Sequence, residues 1–465
     1  MNSLKNKHYE EDLKFFFRKI FNVHPKPDFK VSMDILKREK DYCFSQIKKC
    51  RSTEEFWKIC QHFLHIMGDG HTSIMLSEFE NVKFVPIFVL PIEGVFVIIK
   101  KFITKYESEL EKINEGDIVL FIDGKEIESI LQEKLKLTTY NNFGWAKYRV
   151  AQEIFKFISP NKKFIEVVLA RKSGEIYSVQ IPLVTEDELK IDEKEYQDKL
   201  NENIKNIEVK YFDDIKTGYL KYNSCKDRES IKKDNKHWLK ELKKLNLEIT
   251  DIPDMEEECW KLFQELQERN YENLIIDIRG NMGGNSNVAQ VLFKYLTQKE
   301  LQTYDCKIKI SKEVKERSNS YESEEIGTLK EYDNNSMKFP YKSRLEEEKL
   351  AELNQFGGKV FILIDQAIFS SGEWLAVELY ANDLGTFIGE PTGGGGEVPG
   401  DQIKFKLPNT KLQLYVSYKL FTPPLKNNLQ GVIPHIWKRQ SLADYRNNKD
   451  TVLEFVKNKI KKKRG

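Results

Sequence analysis

From residue 9 to 67 the apolar positions recur with helical spacing. "YEEDLKFFFRKIF" and "STEEFWKICQHFLHIM" each set aromatic and aliphatic side chains on one face and charges opposite, the pattern of amphipathic helices. Ser52 with Glu55 three residues later forms a capping box that opens the second of them. Near residue 80 the pattern changes to short β-rich runs, "VKFVPIFVLPI" and "GVFVIIKKF", punctuated by Pro and Gly. "EGDIVLFIDGKEI" (115–127) reads as strand, Asp-Gly turn, strand, and "FIEVVLARKSGEIYSVQIPLV" (164–184) reads as a hairpin around Ser173-Gly174. Two later runs, "NLIIDIRGNMGGNSNVAQVLFKYL" and "KVFILIDQAIFSSGEWLAVELYAND", each take an apolar strand through a glycine or serine turn into a helix. That is the rhythm of an α/β domain.

These changes set the expected organisation: a helical region over 1–81, a β-rich module over 82–185 and a charged connector over 186–206. An α/β block follows over 207–440, interrupted by a charged insertion at 310–355, and 441–465 forms a C-terminal helix and basic tail. A chain of 465 residues has room for two or three domains. Apolar residues make up 40% of it, enough to build cores.

Charge and cysteine content narrow the function. Acidic and basic residues nearly cancel to a formal +2, which argues against a general binder of nucleic acid or membrane surfaces. No stretch approaches the ~20 apolar residues of a membrane span. The charged N-terminus lacks the apolar core of a secretory signal. The six cysteines are scattered with no Cys-x-x-Cys pair, so neither a zinc site nor a disulfide framework is expected. A soluble cytoplasmic protein fits best, with no metal and no organic cofactor.

Local spacing leaves the chemistry open. Ser370 and Glu373 stand as a capping box, yet a hydroxyl at a strand–helix corner also sits where the helix N-terminus stabilises developing negative charge. The glycines of "IIDIRGNMGGN" (275–285) expose backbone N–H groups that suit an oxyanion, and they also suit a plain turn. Neither they nor "GEPTGGGGE" (389–397) carries the Lys-Ser/Thr of a phosphate loop. His71, in "MGDGHTSIM", is by itself one histidine of seven.

Taken in order, "GDGHT", "DIRGNMGG", "FSSGE", "IGEPTGG" and "GVIPHI" resemble the motifs of the S41 serine peptidases, the C-terminal processing and tricorn-type proteases. The resemblance runs from about residue 9 to 440. It implies a crotonase/ClpP-like α/β core with an N-terminal helical region and a PDZ-like β module at 82–185. It also implies hydrolysis of peptide or unfolded protein through an acyl-enzyme. Aligning the glutamate of the family's Ser-x-Ser-Glu on Glu373 makes Ser370 the nucleophile, with Ser371 as the rival register. The backbone N–H groups of Gly283, Gly284 and Ser371 would form the oxyanion hole.

The general base distinguishes two branches of that family. Processing proteases use a lysine that would fall at Gly395, and residues 389–400 contain no lysine. Tricorn-type members use a histidine, and His71 occupies that place. Their orienting glutamate lies three residues before the Gly-Val-x-Pro segment, which here is Asn428. An asparagine can fix an imidazole tautomer but cannot offset its charge, so Asp69 and Glu390 stand as alternative acids. His435 also replaces the family's aspartate. These departures keep a second expectation alive, a peptide-binding protein that has lost catalysis, and a weaker third, an acyl-thioester enzyme on a related core. The oligomeric state is left open.

Overall fold

The computed structural model describes residues 2–75, 82–102, 104, 107–158, 162–185, 188, 206–234, 242, 248–331, 355–425 and 430–464. Asn428, nearly all of the connector and residues 332–354 of the charged insertion lie outside the described residues. The chain mixes helix and sheet and divides into two compact units.

The first unit joins Met1–Lys190 with two later stretches, Asp305–Asp333 and Glu397–Thr422. Its N-terminal helices Asn2–Val23, Met33–Ile47 and Thr53–Met67 follow the expected periodicity. The Ser52 hydroxyl accepts the Glu55 N–H at 3.1 Å, so the serine half of the box forms, while the Glu55 carboxylate accepts the N–H of Arg51, one residue before the cap, at 2.7 Å. Phe16, Phe17, Phe56 and Phe63 are buried among these helices, with the Phe17 and Phe63 rings edge to face at 4.8 Å.

Against the helices packs a sheet assembled from distant segments. Ser73–Met75 pairs antiparallel with Gln413–Thr422, which also pairs with Asp305–Lys309 and with Val398–Lys406. Ile74, Ile308, Leu414 and Val416 join the helical core. A second, antiparallel sheet orders Ile87–Ile92, Val95–Lys101, Ile118–Ile122, Phe164–Ala170 and Ile176–Pro182. Its expected turns are present. Asp123 and Gly124 both adopt positive φ, 50° and 74°, as a two-residue turn matched to strand twist requires. The hairpin pairs Ala170 with Ile176 across Gly174.

The second unit comprises Ile191–Tyr304, Asn334–Gly396 and Pro423–Gly465. Its six-stranded sheet runs Ile207–Phe212, Thr217–Tyr222, Asn273–Asp277, Lys359–Ile364, Thr386–Gly389, Ile436–Trp437. The first pair is antiparallel and all later neighbours are parallel. The central strand Asn273–Asp277 is buried throughout, as parallel strands covered on both faces must be. The C-terminal helix Thr451–Arg464 buries Val452, Val456 and Ile460, spaced four apart, in one core with Tyr219, Ile275 and Phe361.

Arg279 ties that helix to the sheet. Its guanidinium grips Asp277 at 2.8 and 2.5 Å and Asp450 at 3.0 and 2.6 Å, while Tyr219 donates its hydroxyl to Asp277 at 2.9 Å. Asp450 in turn accepts the Val452 and Leu453 N–H groups. Because Asp277 is fully buried, Arg279→Ala is expected to cost about 3–5 kcal/mol by stranding a carboxylate without its counter-charge. Urea unfolding measures it: the midpoint falls with little change in slope. A loss below about 1 kcal/mol would mean the pair contributes only as an exposed bridge would.

Candidate active site

In the second unit two turns meet at the ends of adjacent parallel strands, Asn273–Asp277 and Lys359–Ile364. The first carries Asn281, Gly283 and Gly284; the second carries Ser370 and Ser371. Asp365 and Asn281 couple them. One Asp365 oxygen accepts the N–H of Gly280 at 3.0 Å and that of Ala367 at 3.1 Å. Burial pushes the Asp365 carboxyl up from its ordinary range, and these two amides oppose the shift. Asn281 is fully buried. Its side chain donates to the Tyr222 carbonyl at 3.0 Å and accepts the Gly283 N–H at 2.9 Å, while its own carbonyl accepts the Phe369 N–H at 3.0 Å.

The glycines here are needed for space. A side chain at Gly283 would come within 2.7 Å of the Ser371 nitrogen and 2.8 Å of the Ser370 Cβ. One at Gly284 would lie 2.3 Å from the Cys225 carbonyl oxygen, and one at Gly372 would lie 2.2 Å from that of Asn281. The two turns therefore touch backbone to backbone.

Ser370 precedes the helix Ser371–Ala381 with φ 54° and ψ −125°, and its side chain makes no capping bond. The capping-box alternative is not realised. A cap residue needs extended backbone, and Ser370 instead turns through a region that L-residues rarely occupy, costing about 1–3 kcal/mol. Such strained strand-to-helix corners present a hydroxyl outward from the sheet. The neighbouring Ser371 hydroxyl donates to the Gly284 carbonyl at 2.8 Å. Among the described residues, the N–H groups of Gly284 and Ser371 meet no acceptor, whereas that of Gly283 is taken by Asn281.

Glu373, the other half of the expected box, is buried rather than capping. It lies on Gly394, where a Cβ would come within 2.3 Å of its Cγ. Burial pushes its carboxyl up to about 7, opposed by the Thr392 hydroxyl and the Gly394 and Val432 amides. Glu378, one turn on, is likewise raised to about 7 by burial and accepts the Trp374 indole N–H at 2.7 Å. A raised carboxyl stays protonated in the fold while the unfolded chain ionises. Its cost to stability therefore grows as pH rises from about 4.5 and is complete above about 7. Glu378→Gln is expected to raise the thermal midpoint at pH 8 and to leave it nearly unchanged at pH 4.5. An equal shift at both pH values would overturn the titration account.

His71 belongs to the first unit. The helix Thr53–Met67 ends on Gly68, whose left-handed φ of 75° is the usual exit from a helix and leads directly into Asp69-Gly70-His71. Asp69 is fully buried. Its Oδ1 accepts the His71 N–H at 2.8 Å, and its Oδ2 accepts the Thr72 N–H at 3.0 Å. Burial of the Asp69 carboxyl opposes its charge, but hydrogen bonds from His24 and Ser417 and nearby imidazole charge outweigh that and hold it down at about 2. The His71 imidazole is shifted below its ordinary 6.5 by burial, against the attraction of Asp69 and Asp401 and a hydrogen bond to the Pro399 main chain. Proline has no N–H, so the Pro399 carbonyl accepts from the ring.

The other candidate residues divide between the units. Gly283, Gly284, Ser370 and Ser371 come together in the second unit; His71 and Asp69 sit in the first. Glu390, at the end of the strand Thr386–Gly389, has its carboxyl raised by burial and by Asp365. His435 accepts the Phe387 N–H at 2.9 Å and stacks on Tyr380, a packing role. Asn281 and Asp365 were missed at the sequence level. For Asp365 the signal was a polar residue set directly after an apolar strand; Asn281 stands four residues past its strand, within the glycine turn. All six cysteines are buried and unbridged. Among the described residues no group of three or more metal-ligating side chains occurs, and no helix is long and apolar enough to cross a membrane.

Comparison with known proteins places this geometry in a family. No curated protein matches the chain. Among solved structures, mature CPAF complexed with lactacystin is 16% identical and superposes with a TM-score of 0.73 over 98% of each chain. A second structure of mature CPAF is 15% identical, with a TM-score of 0.69 over 95% of this chain and 94% of that one. At such identity these two likenesses speak for the fold. The profile of Peptidase family S41 matches residues 216–437, a span that holds both βα turns. By that profile, just under half of the chain is similar to peptidase family S41, a family of serine-type hydrolases.

Proposed function

We propose that the chain is a serine peptidase that cleaves peptide bonds through an acyl-enzyme formed on Ser370. The observation that carries this reading is the strained Ser370 corner flanked by the Gly284 and Ser371 amides. In the proposed cycle the Ser370 Oγ–H proton passes to the His71 imidazole as Oγ bonds to the scissile carbonyl carbon. The carbonyl oxygen, now negative, takes hydrogen bonds from Gly284 and Ser371, while Gly283 supplies the close backbone approach. Collapse of the tetrahedral species breaks the C–N bond, and the amine leaves with the proton from His71. Water then attacks the ester by the same route and frees Ser370. Asn428, in the orienting slot of the tricorn-type pattern, lies outside the described residues, and its role stays a proposal.

Three finer expectations also belong to this reading: a crotonase-like core, a PDZ-like role for the antiparallel module and a cytoplasmic location. The antiparallel sheet of 87–182 supports the second, since its edges suit an extended peptide added as a strand. A fluorophosphonate probe tests the whole. It labels the wild type, Ser371→Ala keeps labelling and Ser370→Ala loses it. A wild type that cleaves no unfolded protein and takes no label would instead identify a peptide-binding relative.

A further inference from the structure

We infer that Asp69, clamped by His24 and Ser417, is the positioning residue for His71: it fixes the main chain that presents the imidazole and supplies the negative charge that Asn428 lacks. This rests on the reading of His71 as the general base.

The local half of the clamp is the turn itself, in which Asp69 accepts the His71 and Thr72 N–H groups. The other half comes from far along the chain. Asp69 Oδ2 also accepts the Ser417 hydroxyl at 2.6 Å and His24 Nε2–H at 3.2 Å. The direction of each bond is set by its neighbours. Because His24 Nδ1 accepts the Lys26 N–H at 3.2 Å, the ring proton sits on Nε2 and faces the carboxylate. Because the Ser417 N–H is spent on the Thr72 hydroxyl oxygen at 3.1 Å, the Thr72 hydroxyl donates to the Ser417 oxygen at 3.2 Å, and Ser417 passes its own proton to Asp69. Four donors, the His71 and Thr72 amides, the Ser417 hydroxyl and His24 Nε2–H, are oriented toward one ionised carboxylate with no exposed surface.

One of these four donors sits on Asp69 Oδ1 and three on Oδ2. Asp69 acts on His71 through the main chain and through its field, while the hydrogen bond of the ring goes to Pro399. The ring is oriented by the Pro399 carbonyl. The strand Val398–Lys406 adds a second hold, since the Gln402 side chain donates to the His71 carbonyl. The charged groups facing the imidazole are Asp69 from its own turn and Asp401 from that strand, and Asp401 is already paired with Lys419 at 2.6 Å. Asp69, by contrast, pairs with no lysine or arginine among the described residues. An imidazolium formed during acylation is stabilised by that carboxylate charge, the service a triad carboxylate gives elsewhere.

The test is the rate of fluorophosphonate labelling of the full chain against pH, for variants confirmed as folded by thermal unfolding. Asp69→Asn keeps a turn acceptor and deletes the charge. It is expected to slow labelling about 10- to 100-fold, the usual loss when a supporting partner is removed, and to move the pH midpoint lower. Ser417→Ala is expected to slow labelling, with Ser417→Thr restoring it; His24→Leu is expected to slow it, with His24→Gln restoring it through an amide donor. His71→Ala serves as the reference. If that variant labels at the wild-type rate, the general-base reading itself fails. If it is inert while folded Asp69→Asn and Ser417→Ala match the wild type in rate and midpoint, the clamp is only structural and the inference is overturned. Should Asp69→Asn not fold, the Ser417 and His24 pairs decide: loss without rescue by the conservative variant overturns it equally.

Discussion

Ser370→Ala is expected to lower turnover of an unfolded protein substrate on the order of 10⁶-fold, the scale at which removing a serine nucleophile disables a triad. Ser371→Ala should cost far less. The asymmetry follows from the corner. Ser370 sits at φ 54° without capping the helix, so its hydroxyl is not consumed in holding the first turn. The Ser371 hydroxyl is spent on the Gly284 carbonyl, and what Ser371 offers the reaction is its N–H, which alanine keeps. Losing the Ser371 hydroxyl loosens one tie between the two turns, a neutral hydrogen bond worth about 0.5–1.5 kcal/mol, or roughly tenfold if all of it reached the transition state. Steady-state proteolysis of both variants, with probe labelling as a second readout, decides the matter. Equal loss in the two variants, or loss confined to Ser371→Ala, would place the nucleophile one residue later.

His71→Ala is expected to fall as far as Ser370→Ala, and the double variant no further, because groups that act as one unit are not additive. The pH profile adds a sharper mark. Burial shifts the imidazole below 6.5 and Asp69, Asp401 and the Pro399 carbonyl only partly restore it. Since the base works unprotonated, acylation should be at full rate at pH 7 and decline only as pH falls below that ordinary value. A midpoint above 7 would contradict the assignment, because it would require the imidazolium to be favoured by its surroundings. Near-normal acylation by His71→Ala would end the histidine mechanism outright.

The motifs in sequence order pointed to the family, and the family profile over residues 216–437 spans four of the five, leaving "GDGHT" outside it. The strand–turn–helix units around Gly283 and Ser370 were legible because a buried strand, a glycine or serine turn and a helical period are each written in adjacent residues. The Ser52 cap was legible for the same reason. The same spacing at Ser370 and Glu373 misled: there the glutamate points into the core over Gly394 and the serine bends away from cap geometry. Local spacing cannot register that difference, since it depends on which side of the helix the rest of the fold covers.

What the order of residues determined by itself was therefore local: helix periods, capping, hairpin turns, and which residue types stand at the ends of which strands. Only the tertiary structure decided that Gln413–Thr422 pairs with Ser73–Met75, that Ser417 and His24 close on Asp69, and that the Asn281 carbonyl ties its turn to the other through the Phe369 N–H. The physical reason is common to all three. A polar group taken out of water must find a partner, and the partner is whichever group the packed chain brings within reach, however many residues away it lies.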